Sequence, residues 1–136
     1  MIALVFFIGN LSHQKRANNF GKAVQKIETG EVTLQEITPF AWDAVYTFAP
    51  YTPKQEIEEV IGAKSGKISE LVNEGMTQLI FVKDGKVICG IQGYADRLGY
   101  FVSFLKDGEK QAVINFAEPV VFSVSREHEF AELRIK

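Results

Sequence analysis

Few residues in this chain could be assembled into catalysis or metal binding: two histidines (His13, His128), one cysteine (Cys89), and one aspartate set among aromatics (Asp43). Zinc sites take three or four ligands at characteristic spacings. His128 is followed by Glu129-Phe130-Ala131-Glu132, so no second histidine stands where a zincin helix would need it. His128 and Glu132 would share a strand face, but two ligands do not make a site. No metal is expected.

Nucleophilic chemistry fares no better. No serine occupies a Gly-x-Ser-x-Gly elbow, and no P-loop is present. Cys89 lies in Val87-Ile88-Cys89-Gly90-Ile91, an apolar run that disfavours a thiolate, so a small buried hydrophobe is the expected role. Gly90-Ile91-Gln92-Gly93 follows a hairpin instead of opening a helix, which argues against a dinucleotide fingerprint. Asp43, beside Trp42, is the most suggestive carboxylate. Apolar surroundings would raise its pKa toward that of a general acid, yet no second carboxylate stands ready to share the work. A carboxylate that caps a turn or pairs with a nearby base is the simpler expectation. An enzyme would need Asp43, His128 and Cys89 to converge in one pocket. The chain reads as a non-enzyme, with no catalytic, cofactor-binding or metal-binding residues.

The elements that must position any site follow from periodicity. Ser12 to Lys26 is expected to be a helix: Ala17, Phe20, Val24 and Ile27 recur at helical spacing, with Ser12 as N-cap and Gly30 as stop. Val32 to Thr38 reads as a short strand broken by Pro39. Phe40 to Phe48 alternates, with Phe40, Trp42, Ala44, Tyr46 and Phe48 on a strongly buried face and Asp43, Val45 and Thr47 opposite. Thr52, Pro53 and Gln55 predict a capped helix start, with Glu56, Glu58 and Glu59 early in the helix, a stripe of Ile57, Val60 and Ile61, and Gly62 at the stop. Ile68, Leu71 and Val72 suggest a second helical segment. Asp84-Gly85 between two β-rich runs predicts a type I′ hairpin, central in its sheet. Gln92 to Gly99 reads as a loop, and strands are expected over Tyr100 to Leu105, Val120 to Ser125 and Phe130 to Ile135, with Ala112 to Phe116 a strand or a link. The fold class is α+β: residues 1–136 as one domain with a mainly antiparallel sheet, an N-terminal helix, and a short capped helix after the aromatic strand.

A content of 46% hydrophobic and 24% charged residues excludes a disordered chain. A net charge of −2 supplies no basic face for nucleic acid. Charge is segregated, however. Residues 1–27 hold four bases and no acid, whereas residues 28–59 hold seven acids and one base. The lone cysteine cannot form an internal disulfide, so nothing points to an oxidising compartment. The run Ile2 to Ile8 is too short to span a bilayer, and it lacks the basic n-region and cleavage site of a signal peptide. It is expected to be a buried strand or the first turn of a helix. The rival is the remnant of a signal sequence that starts upstream. A cytoplasmic location is expected, with periplasm or envelope as the alternative.

Trp42-Asp43-Ala44-Val45-Tyr46-Thr47-Phe48-Ala49-Pro50-Tyr51-Thr52 resembles a W-D-x-x-Y-x-F-x-P-Y-T signature of small uncharacterised bacterial proteins, in which the segment leads into a short helix and then a hairpin. The resemblance covers roughly residues 37–91. It implies no activity; many such proteins look exported or lipid-anchored, but a leader with a lipidated cysteine is not expected from these residues. Size and acidity are also similar to those of immunity proteins, which bind and neutralise toxins. That analogy implies a protein partner, a basic toxin domain, with Tyr51, Glu56, Glu58 and Glu59 as its contacts. An envelope-associated protein of unknown ligand is the alternative.

Overall fold

The structure, a computed structural model, describes the backbone of residues 2–136 and the side chains from residue 12 onward. Leu79, Ile80, Phe81 and Val82 are apolar in succession, so the strand carrying them must be covered on both faces. That strand, β3 (Thr77–Lys83), lies inside a four-stranded antiparallel sheet ordered β4-β3-β2-β6, where β2 is Ala44–Phe48, β4 Lys86–Gly93 and β6 Gln111–Asn115. Leu79 and Phe81 enter the main core, while Ile80 and Val82 join a second cluster with Phe48, Ile57, Ile68 and Val87. The β3–β4 turn has φ of 51° at Asp84 and 76° at Gly85, as type I′ requires. Only half of the hairpin is central, because β4 forms the edge. Phe81 pairs with Cys89 but Val82 with Val87, leaving Ile88 as the extra residue of a bulge. The bulge reverses the alternation, so Cys89 and Ile91 face the main core and Val87 the second cluster.

The other sheet is ordered β1-β7-β8-β5, from β1 (Gly30–Thr33), β7 (Val121–Ser125), β8 (Ala131–Ile135) and β5 (Tyr100–Ser103). Its β5–β8 pair is parallel and the others antiparallel. Phe122, Val124, Leu133, Tyr100 and Val102 fill the same core as Val45, Leu79 and Phe81 of the first sheet. Two sheets dominated by antiparallel pairing therefore share one apolar layer, and helices pack around them: an α+β domain.

Helix α1 (Ile2–Gln25) buries Phe20 and Val24 completely, with the Phe20 ring edge-to-face against Phe81 and Tyr100 at 5.5 and 5.7 Å. Gly21 interrupts its apolar stripe because a Cβ there would come within 3.3 Å of the Tyr100 ring. Arg126, just past β7, binds the last carbonyl of α1 and one beyond its end. Arg126 Nε donates to Ile27 O at 2.7 Å, and Arg126 Nη2 donates to Gln25 O. The apolar run Ile2 to Ile8 continues this helix and is not a strand; its burial lies outside the described residues. No helix among the described residues is long and apolar enough to cross a membrane.

Elsewhere the chain departs from its periodicity. The strand expected over Val32 to Thr38 ends at Thr33, which caps the helical turn α2 (Leu34–Ile37) in a reciprocal box with Glu36. The aromatic strand begins only at Ala44. Phe40 and Trp42 turn into the main core, 5.0 and 5.7 Å from the Phe81 ring, whereas Tyr46 and Phe48 pack on the outer cluster. Val45, expected on the less buried face, is fully buried in the main core. Residues 63–75 form no helix. They lie as a loop against β4, so close that a Cβ on Gly90 would overlap the Lys67 carbonyl oxygen. The stretch 92–99 is more than a loop: β4 runs to Gly93, and Ala95–Leu98 forms the turn α4.

Candidate partner-binding corner

Helix α3 (Lys54–Ile61) starts differently from its sequence signature. Pro53 is the N-cap and offers no side-chain bond; Thr52 Oγ1 instead donates to Ala49 O at 2.7 Å and closes the preceding turn. The first helical N–H, that of Lys54, donates to Glu70 Oε1 at 2.6 Å. A carboxylate from 16 residues downstream thus supplies the cap. Only Glu56 lies in the first turn. Glu58 and Glu59 sit in the second half, where the helix dipole no longer favours anions. Gly62 ends the helix at φ 81°. Ile57 is fully buried and Ile61 half-buried, but Val60 is exposed, so the expected stripe is narrower.

Tyr51 precedes this helix at φ 71°; among the described non-glycine residues only Asp84, in the hairpin turn, shares positive φ. The left-handed region costs a residue with a Cβ about 1–2 kcal/mol. Tyr51 is held there by its N–H, which donates to Leu71 O at 2.6 Å, while its side chain leaves the residue 65% exposed. That bond ties the turn at 50–52 to the segment 70–72. Glu70, with its capping role, and Val72, 61% exposed, thereby join the corner. Neither was found from the sequence, and no local signal could reveal them, because only the fold brings the two segments together.

Glu58 and Glu59 line a crevice of about 640 Å³ with Gln55, Gly62, Ala63 and Lys64. Tyr51 stands outside it, beyond the opposite end of α3. Eight residues of helix span about 12 Å, so the corner and the crevice fit within one side of an ordinary protein interface. Among the described residues no cation lies within ion-pair distance of Glu56, Glu58 or Glu59.

The remaining chemistry-bearing residues stay in separate settings. Asp43 Oδ2 accepts the Asp84 N–H at 2.7 Å and Oδ1 lies 3.9 Å from Lys83 Nζ, so this carboxylate braces the hairpin turn. His128 Nδ1 lies 2.5 Å from Glu132 Oε1, with Arg134 on the other carboxylate oxygen and Phe130 stacked on the imidazole. Cys89 is fully buried, and desolvation pushes its thiol up to about 12. His13 is partly buried, its imidazole pKa lowered chiefly by desolvation. No group of three or more His, Cys, Asp or Glu among the described residues could hold a metal ion. Compared with known proteins, the chain matches no family model, no curated protein and no solved structure.

Proposed function

We propose that this chain is a non-enzymatic binding protein whose α3 corner receives a basic polypeptide, most concretely as an immunity-type inhibitor that neutralises a toxin domain with a cationic cleft. One observation carries the reading: three carboxylates of α3 have no cation within ion-pair distance among the described residues, next to an exposed tyrosine held in the left-handed region. Uncompensated acids on a short helix repel one another and gain nothing for the fold, but they steer an oppositely charged partner. Exposed tyrosine is a common energetic anchor of interfaces, and backbone strain concentrates at sites with a task. The test is affinity capture from the native source with wild type and a Glu58→Lys/Glu59→Lys double variant. A basic protein held in stoichiometric amount by wild type, released by salt, inhibited in its own activity and lost by the variant is the expected result. Recovery of no stoichiometric partner, or equal recovery by the variant, overturns the reading.

A second reading, an envelope-associated protein, is favoured by the continuity of α1 through the apolar run Ile2 to Ile8. Co-sedimentation with anionic lipid vesicles tests it, and loss of sedimentation on replacing Phe6 and Phe7 with serine is the outcome it requires.

A further inference from the structure

One of the four bases of residues 1–27, Lys22, lines a second feature of the fold. Between α1, the end of β4 and α4 runs a groove of about 440 Å³, inside the range of roughly 300–1,000 Å³ that small-molecule sites occupy. Lys22 lines it from α1, and Arg97 lines it from α4. The guanidinium is positioned in advance: Arg97 Nη2 donates to Gln92 O at 2.7 Å, and its head packs against Gly93 so closely that a Cβ there would lie 2.8 Å from Nη2. One N–H of the five is used by that bond, which leaves a fork of donors free. Among the described residues neither Lys22 nor Arg97 pairs with a carboxylate. Among the described residues no acid lines the groove; Asp96, adjacent in sequence to Arg97, lines two other clefts. The lining also includes the primary amide of Asn18, those of Gln25 and Gln92, each of which gives one N–H to a backbone carbonyl (Leu98 O and Glu70 O, both at 3.2 Å) and keeps a second, and the Tyr100 phenol, whose pKa burial raises so that it stays a neutral donor. Gly21 and Gly90 also line the groove, and Gly21 lets α1 approach the Tyr100 ring, to which a Cβ would come within 3.3 Å.

We infer that this groove binds a small anionic metabolite through a carboxylate or phosphate group, with Arg97 and Lys22 as its two cationic contacts. Two unpaired cations, uncontested by any carboxylate in the groove and accompanied by amide donors, match the demands of an oxyanion better than those of a neutral or cationic ligand. The site is independent of the α3 corner. Phe20 and Val24 of α1 pack into the inter-sheet core, and Ile57 of α3 into the outer cluster, so the two features lie on opposite faces of the β4-β3-β2-β6 sheet.

The experiment is a ¹H–¹⁵N titration of the whole chain with sodium citrate, sodium phosphate and, at matched ionic strength, sodium chloride. Saturable shifts of the Gly90, Gln92 and Leu98 amides with citrate, phosphate or both are expected, and the pattern tells a carboxylate ligand from a phosphate one. Lys22→Met and Arg97→Gln should each weaken binding about tenfold or more, with the Gly85 turn amide unmoved as the control for an intact fold. Shifts that never saturate, that chloride reproduces, or that survive either substitution at unchanged affinity overturn the assignment.

Discussion

The left-handed backbone at Tyr51 can be weighed directly by comparing two truncations, Tyr51→Ala and Tyr51→Gly. Both delete the same phenol ring from a residue that is 65% exposed, so the burial they lose is common to both and cancels. They differ in one methyl group and in what φ 71° means for each. Alanine keeps the Cβ clash of the left-handed region, about 1–2 kcal/mol, while glycine escapes it. Glycine also has more conformational freedom to lose on folding, about 0.4–1 kcal/mol. At the midpoints of these ranges Tyr51→Gly is about 0.8 kcal/mol more stable than Tyr51→Ala, the reverse of their order in an ordinary helix or strand. For a chain of this length that corresponds to a melting difference of about 2–4 °C. Urea unfolding at a single pH measures it. If Tyr51→Ala proves equal to or more stable than Tyr51→Gly, residue 51 is not held left-handed, and the strain argument for the corner fails.

Other substitutions probe separate links. Glu70→Ala should remove the cap from α3, costing about 1 kcal/mol and speeding exchange of the Lys54 amide hydrogen. Phe81→Ala removes the ring that Phe20, Phe40 and Trp42 pack against and should cost about 3–5 kcal/mol in chemical unfolding. Gly90→Ala drives a methyl into the Lys67 carbonyl and should cost about 1–3 kcal/mol through displacement of the 63–75 loop. The Cys89 thiol rises from 9.0 to about 12 in the fold, so the unfolded chain loses its proton first. Its contribution is intact below pH 9.0 and is lost as pH rises toward 12, and Cys89→Ala should flatten that alkaline decline in stability.

What could be read from the residues was what local geometry dictates. Asp84-Gly85 needs two positive φ angles, which few dipeptides accept, so the hairpin was legible; the capping residues Thr33 and Glu36 were equally local, but the β-branched Val32 and Thr33 suggested a longer strand. The rest depends on partners distant in sequence. The aromatic run has one period on paper, yet Trp42 and Phe48 serve different clusters because strand pairing starts only at Ala44. The Ile88 bulge flips the phase of β4 without any glycine or proline at that residue to mark it. Ile68 and Leu71 have helical spacing and are both buried, but the loop that carries them crosses a sheet face, where two anchors suffice without a helix. At the candidate site, Tyr51 and the three glutamates were visible, whereas Glu70 and Val72 arrive through a single backbone bond from Leu71.

The shortness of α3 limits what its dipole can do for its acids. Starting at Lys54 and not at Pro53 brings Glu56, Glu58 and Glu59 one residue nearer the positive end, yet Glu58 and Glu59 still fall in the second half of an eight-residue helix. Starting at Lys54 with a borrowed carboxylate, the helix keeps one favourable acid and carries two where the dipole turns against them, with no cation among the described residues within ion-pair distance. Neutralising Glu58 and Glu59 to glutamine should therefore raise the stability of the free protein by a few tenths of a kcal/mol, in line with helix charge effects of about 0.3–1 kcal/mol. A stabilising change that also weakens a basic partner would identify these carboxylates as kept for recognition. If the double substitution destabilises the fold instead, the two acids are structural, and the corner has no claim to a partner on grounds of charge.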